Sequence, residues 1–466
     1  MAVVVTVVVA IGIPARATYG ARTTADEPHY LLTAMSLWED RSLDYADERA
    51  ELRYWPFHAV LLPVQAERQT DGDVVAPHDP LLPAVLAAPV GLGGWVGAKL
   101  AMSLLAGVLA ALTWLVLERR IGVRRSVAAA AALIAGCSPP LVIYGSQIYP
   151  ELLGAIATLV GFAAVTSPTL SGRATAVAVS AVSGLPWLNV KYAPVAIVVA
   201  GALLLRLRRE RSAGEMLRTG AALLGSGVLF AVLHVRWYGG LTAYASGSHF
   251  GSGELSVMGD DPDYASRSVR LLGLLVDRDF GLAAWQPIAL LAPAAVVLWL
   301  RRGTGPGRWV LPAIVLAGWL TATYLALTMH GWWWPGRQTV VVVPLLVVAI
   351  AKMVDGWGPV ARRVVAVVGA CGVWAYAWLV GGVFAGAHTL IVDFDRTADP
   401  LGWLWRRLLP DLRADGAVDV ALYAAWLVVV AVSIAWAARA GNRSVLDDVV
   451  AEPVASRRPG DRVPAG

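Results

Sequence analysis

Five short segments of this chain place ionisable side chains where long apolar runs begin or end. The first is Thr24-Ala25-Asp26-Glu27-Pro28-His29-Tyr30. Its two adjacent carboxylates precede a proline suited to the first turn of a helix. Such a pair fits a fixed acidic site, although a helix capped by Asp26 or Glu27 is the commoner fate of Asp-Glu alone. The second is Tyr149-Pro150-Glu151, a carboxylate at the mouth of an apolar run, where it would also complement a helix dipole. The third is Lys191-Tyr192, between two short apolar runs, in a chain whose other lysines are Lys99 and Lys352. An ionisable group at membrane depth is costly and points to function, with snorkelling to the interface as the alternative. The fourth is Asp277-Arg278-Asp279-Phe280-Gly281-Leu282, where a local salt bridge would also account for the charges. The fifth is His330-Gly331-Trp332-Trp333-Trp334-Pro335-Gly336-Arg337. Clustered tryptophans ordinarily form an interfacial belt, but a guanidinium beside them can grip a phosphate bidentately while their faces stack on sugar or prenyl groups.

Acids beside isolated cations meet two needs of sugar transfer from a lipid-phosphate donor. A carboxylate removes the acceptor hydroxyl's proton, and cations offset charge on the departing phosphate. The sugar would react through an oxocarbenium-like state, and a single displacement would invert its anomeric centre.

These segments sit in a chain of 466 residues that is 57% hydrophobic and 15% charged, with mean hydropathy +0.61. Soluble domains carry roughly 25% charged residues, so the balance excludes a soluble enzyme, a disordered protein and a nucleic-acid binder. Cys137 and Cys371 offer neither a disulfide framework nor a metal quartet. Runs long enough for a bilayer of about 20 helical residues fall at 1–15, 95–117, 126–145, 149–166, 174–189, 192–205, 219–235, 282–300, 309–329, 338–354, 364–387 and 418–438. The boundary between the fifth and sixth lies at Asn189–Lys191. The Pro-rich stretch 80–92 is too short to span and reads as a helix along the membrane surface. Ala15-Arg16-Ala17 mimics a signal-peptidase site, but no basic residue precedes the first apolar run, as a signal peptide requires.

Arginines at 119–125, 206–211, 301–302, 362–363 and 439–443 follow alternate spans, which places that side in the cytoplasm. The fold class expected is therefore an all-α polytopic membrane protein with about 12 transmembrane helices. Its transmembrane domain runs over 1–438, with outer loops at 16–94, 236–281 and 388–417 carrying short amphipathic helices. A disordered cytoplasmic tail follows over 439–466, so both termini are cytoplasmic. The first outer loop holds more acids than bases, and all seven histidines, His249 among them, fall in or beside the outer half. No internal repeat stands out, which counts against a transporter. No Gly-rich phosphate loop follows a strand pattern, so a nucleotide-binding domain is not expected.

The segments above resemble the GT-C superfamily of polyprenyl-phosphate-sugar-dependent glycosyltransferases, which includes protein O-mannosyltransferases and the aminoarabinose transferase of lipid A. The similarity is to bacterial members of the dolichyl-phosphate-mannose type. His78-Asp79-Pro80-Leu81 and Leu185-Pro186-Trp187-Leu188-Asn189-Val190-Lys191-Tyr192 complete an ordered set over residues 24 to 337, in which the order is more specific than any one motif.

The resemblance implies a catalytic carboxylate at Asp26, with Glu27 as its neighbour or a metal contact, and a second acid at Glu151. Lys191 and Arg337 would bind phosphate, with Arg278 a weaker third. His29, Tyr30, Tyr192, Asp277, His330 and Trp334 complete the expected substrate-binding set. The resemblance fixes no cofactor: metal use varies across such families, and a divalent metal ion near Asp26 and Glu151 is compatible with it. The partners implied are a polyprenyl-phosphate-sugar donor, membrane lipid and an acceptor glycan, lipid or protein, with no nucleic acid. The segment 388–466 lacks the soluble periplasmic domain that some relatives add for the acceptor. Arginine far outnumbers lysine, and Ala, Val and Gly abound, as in GC-rich bacteria; the expected site then faces outward from a plasma membrane. The competing readings are a multi-span transporter or lipid flippase and an assembly protein, for which these residues need not converge.

Overall fold

The structure is a computed structural model described for residues 1–66, 72–247, 262–305, 307–326, 328–414 and 416–450, with side chains described except at 400, 401 and 441–450. Part of the expected loop 236–281, including His249, lies outside the described residues. So does the tail beyond Val450.

Among the described residues the fold is all-helical, with isolated β-bridges and no strand. The elements used below are α1 (Ala2–Ile11), α2 (Glu27–Glu39), α3 (Ala46–Ala50), α4 (Leu81–Leu115), α5 (Arg125–Gly136), α6 (Glu151–Val165), α7 (Gly172–Leu188), α8 (Ala193–Glu210), α9 (Ala213–Tyr238), α10 (Ala292–Arg302), α11 (Gly307–Leu320), α12 (Val343–Asp355), α13 (Pro359–Phe384) and α14 (Ala417–Val450). A helix overlaps each of the twelve apolar runs. Seven segments are long and apolar enough to cross a membrane: Leu81–Arg120, Val190–Glu210, Ala213–Ser246, Gly307–Leu325, Arg337–Asp355, Pro359–Phe384 and Ala417–Ala440. The chain is a polytopic, all-α membrane protein.

Several expected runs are shorter or broken, each for a local reason. The run 282–300 begins as a single turn at Leu282–Trp285, breaks at Gln286 before Pro287, passes through a 3-10 turn and becomes regular only in α10; proline cannot donate to the preceding turn. The run 126–145 stops at Gly136 ahead of Ser138-Pro139-Pro140 and resumes as Leu141–Tyr144. The surface helix expected at 80–92 is continuous with the next run in α4 except at Gly94, whose φ of 58° and ψ of −155° make a kink. The tail does not begin at 439, because α14 continues to Val450.

The ends of the bundle are tied together by charge. On the arginine-rich side Arg124 Nε pairs with Asp355 at the end of α12 (2.7 Å), and Arg206 donates to the carbonyls of Val165 and Ser167 (2.7 and 2.8 Å). At the other end the loop after α13 pairs with the loop after α1, through Leu390 N to Arg16 O (2.7 Å) and Ile391 N to Ala17 O (3.1 Å). The helix α2 lies against α4 and is buried from Glu27 to Ser36. It carries the first acidic segment into the core.

Candidate active site

Arg337 gathers three of the sequence segments around one guanidinium. It follows Gly336, whose φ is 78°; a Cβ there would also come within 2.8 Å of Leu282 Cδ2, so glycine is needed to turn the chain. Arg337 Nη2 donates to Asp26 Oδ2 at 2.7 Å, and Nε donates to Glu151 Oε1 at 2.9 Å. Lys191 Nζ donates to the same Glu151 oxygen at 2.8 Å and to Gln338 Oε1 at 3.1 Å. The guanidinium carbon lies 4.2 Å from the Tyr149 ring centre and 5.1 Å from that of Trp333. Two acids and two bases balance in a site where Glu151 is fully buried, Arg337 is 8% exposed and Asp26 is half-buried.

Each of these groups is positioned by local chain geometry. Asp26 stands at the N-cap position of α2, yet its side chain makes no capping bond. Ala25 before it takes a left-handed φ of 47°, a conformation uncommon outside glycine, and the Asp26 carboxylate turns to Arg337. Glu151 opens α6 directly after Pro150. Lys191 lies in the 3-10 turn Val190–Tyr192 between α7 and α8. Asn189 Oδ1 accepts from Lys191 N (3.0 Å), and Asp79 Oδ2 accepts from Val190 N (3.1 Å). Asp79 is fixed in turn by His234 Nε2 at 2.9 Å, which anchors the turn to α9.

Glu27 sits beside this group and faces elsewhere. Its oxygens accept from Ile148 N (2.9 Å), Thr24 N (3.1 Å) and Gln147 Nε2 (3.3 Å), with Lys99 Nζ 3.9 Å away. Those bonds splice the start of α2 to the segment leading into α6. Glu27, rather than Asp26, satisfies a backbone N–H near the start of α2, which corrects the simple capping expectation.

His29 and Tyr30 line the other flank. His29 Nδ1 is 3.2 Å from Tyr45 Oη, and the Tyr30 ring stacks on His78 at 4.5 Å. His78 Nε2 is 3.1 Å from Gln65 Oε1, whose amide donates to Asp26 Oδ1 at 3.4 Å. Four buried polar atoms here make no hydrogen bond among the described residues: His29 Nε2, Tyr30 Oη, Glu151 Oε2 and Tyr192 Oη. Buried polar groups are normally paired. Four unpaired atoms on residues around one ion-pair network suit a hydroxyl-rich ligand or water.

A different network takes up the fourth segment. Asp277 Oδ1 accepts from Phe280 N (2.6 Å) and Asp279 N (3.1 Å), and Oδ2 accepts from Leu412 N (3.0 Å) with His330 Nε2 at 3.7 Å. Arg278 pairs with Asp419 at 3.0 Å instead of its acidic neighbours, and Asp279 meets Arg413 and Arg406. These contacts bind the loop before α10 to the chain leading into α14. Asp277, Arg278 and His330 thus belong to a network separate from the bonds around Arg337. Trp334 is fully buried against Trp285 (4.8 Å) and Phe394 (5.2 Å), so it is a core ring and not a stacking surface. Trp332 is the exposed member of that triplet.

Comparison with known proteins gives one solved structure to which the chain is similar. It is the crystal structure of ArnT from Cupriavidus metallidurans bound to undecaprenyl phosphate, at 16% sequence identity and a TM-score of 0.48, over 95% of this chain and 76% of that one. No family model and no curated protein matches. The chain's own residues carry the functional reading.

The electrostatics of the segment 26–29 fit those contacts. Burial works to raise the Asp26 carboxyl, but Arg337, aided by His78, overrides it and holds the group well below the usual carboxylate range. Burial raises Glu27 against the pull of Lys99 and the surrounding N–H donors. Burial, and then His78, push His29 down to about 3, so its ring is neutral. The sequence assigns no role to Tyr149, Gln338 or Gln65, and names Trp333 only within its tryptophan cluster. Tyr149 was visible as the neighbour of Pro150-Glu151, while the two glutamines carry no signal beyond being polar.

Proposed function

We propose that this chain is a membrane glycosyltransferase. It would move a hexosyl or pentosyl group from a polyprenyl-phosphate-sugar donor to an acceptor hydroxyl on the extracytoplasmic face of a plasma membrane, with inversion. The observation that supports it most is Arg337 shared between Asp26 and Glu151, with Lys191 on the same Glu151 oxygen. Without donor the four charges cancel. A donor phosphodiester brings one negative charge and competes for the N–H groups of Arg337 and Lys191. As Arg337 turns toward phosphate, Asp26 loses the partner that suppresses its basicity. Donor binding thereby prepares the base.

In the reaction the acceptor oxygen attacks the anomeric carbon, and the bond from that carbon to the phosphate oxygen breaks. The bonding electrons leave on phosphate, whose charge rises by one, and Arg337 and Lys191 stabilise it. The acceptor's proton passes to Asp26. Tyr30, Tyr192 and His29 offer the sugar hydroxyls their unpaired polar atoms. An apolar cavity of about 400 Å³ lies between α5, α12 and α13, and its lining includes Pro140 and Leu282, the residues that pack around Gly336. It supports a prenyl chain as the donor's anchor. The donor set near Asp26 and Glu151 is already engaged by organic cations, so a divalent ion there would have to displace Arg337.

The test uses the purified protein in lipid nanodiscs with a panel of radiolabelled polyprenyl-phosphate sugars. Consumption of one donor by wild type, lost in Asp26→Asn, is expected. Normal turnover by Asp26→Asn overturns the base assignment. Neither binding nor turnover of any donor overturns the transferase in favour of a transporter or flippase.

A further inference from the structure

The first outer loop holds a group of carboxylates that the proposed reaction does not use. Asp40 is the C-cap of α2, and Asp47 and Glu48 lie in the first turn of α3. One oxygen from each of the three lies within 4.8 Å of the other two. Asp40 and Asp47 are exposed, whereas Glu48 is 1% exposed. Neither Glu48 oxygen makes a hydrogen bond among the described residues.

Burying a carboxylate without a partner is costly, and this one is aimed at two further acids. Two basic groups of the same loop are engaged elsewhere. Arg53 gives both terminal nitrogens to Glu39 at 2.5 and 2.6 Å, and Arg49 donates to Leu62 O at 3.1 Å. What is missing is a cation that accepts three carboxylates, one of them shielded from water.

We infer that Asp40, Asp47 and Glu48 bind a divalent calcium ion that ties the end of α2 to α3. The donors are all hard oxygens, and calcium tolerates an irregular shell completed by waters, where magnesium demands near-octahedral geometry. Exposure of two of the three ligands leaves the ion open to exchange. The site is independent of the transferase reading.

The test uses the full-length protein in nanodiscs, stripped with a chelator, and terbium(III) as an oxygen-seeking luminescent probe beside Trp38. Saturable emission is expected, displaced by calcium at roughly 0.1–1 mM, the range of extracellular modules. Glu48→Gln should abolish it. Asp40→Asn and Asp47→Asn, both at exposed positions that tolerate substitution, should each weaken binding at least tenfold. Calcium should raise the thermal midpoint of wild type and leave that of the variants unchanged. Terbium emission that is unsaturable, or equal in wild type and the two aspartate variants, overturns the site. A calcium-independent midpoint in wild type overturns it as well.

Discussion

Arg337 and Asp26 stand 311 residues apart in the chain and 2.7 Å apart in the fold. Arg337 sits at the start of the segment leading into α12, and Asp26 at the start of α2. Their pairing, with Glu151 on the other edge of the guanidinium, closes one end of the helical bundle around one cation. The arrangement is low in free charge and high in stored interaction. On the proposed mechanism, that combination would let an arriving anion change the properties of an acid without moving a helix.

Asp26→Asn tests the acid directly. Asparagine keeps an oxygen facing Arg337, so the side chain should still fit and donor should still bind, but the proposed general base is gone. Turnover should fall by about 10²–10⁴-fold, the usual contribution of a positioned base, with the donor Kd within a few-fold of wild type. Single-turnover kinetics and an equilibrium donor-binding assay on the same sample separate the two. Loss of binding in parallel with turnover would instead make Asp26 a binding residue.

Arg337 is the residue whose loss the fold should feel most. Arg337→Met removes one of the two cations on a buried Glu151, leaving Lys191, and the cation paired with a half-buried Asp26; breaking a buried pair costs up to about 3–5 kcal/mol. Arg337→Lys keeps a charge but cannot donate from two edges, so it should lose part of that stability and, on the proposed function, most of the donor affinity. Denaturant unfolding in detergent gives the first quantity. A double-mutant cycle with Asp26→Asn gives the coupling of the pair; additivity would show that the contact contributes nothing.

Glu27 makes a contrasting prediction. It is held by Ile148 N, Thr24 N and the Gln147 amide, so Glu27→Gln puts an N–H₂ against a donor. The expected result is a stability loss of about 1–3 kcal/mol, the cost of an unmet buried polar group. The kcat per folded molecule should stay within a few-fold of wild type. A collapse of kcat as deep as that of Asp26→Asn, in protein of normal stability, would place Glu27 in the chemistry.

The contrast between those two neighbours shows what the sequence could and could not convey. Asp26, Glu151, Lys191 and Arg337 were legible because a charge at the end of an apolar run stands out against its surroundings, and only the run boundaries need be right. Their convergence was not legible, since it depends on how α2, α6, α8 and α12 are packed. Glu27 reads the same as Asp26 in one dimension; the turn at Ala25 sends their side chains to different partners. Trp334 and Trp332 are likewise indistinguishable until burial separates them. The Asp277 segment announced its charges but not its partners, because Leu412 N and Asp419 lie more than a hundred residues downstream. The helices themselves were read from hydropathy, and the misreadings fall at Gln286-Pro287 and Pro139-Pro140, where proline interrupts a run that side chains alone would continue.

Titration of the segment around His29 gives the last prediction. His29 is buried on α2 with Nε2 unpaired, and burial followed by His78 lowers its folded pKa to about 3 from an ordinary value of 6.5. Between those values the unfolded chain binds a proton that the folded protein does not. Stability therefore rises with pH across that window, by up to about 1.4 kcal/mol per pH unit. The contribution is complete above pH 6.5 and is lost progressively on acidification toward pH 3. Asp26 has the same sign at lower pH, since its depressed pKa contributes stability that is lost as the pH falls below the ordinary carboxylate range. His29→Gln removes the histidine's share and keeps a hydrogen-bonding group near Tyr45. Unfolding midpoints measured at pH 7, 6, 5 and 4 should decline more steeply for wild type than for His29→Gln. Parallel profiles would mean that His29 titrates alike in the folded and unfolded chain, and that the pocket beside Asp26 admits water freely to its ring.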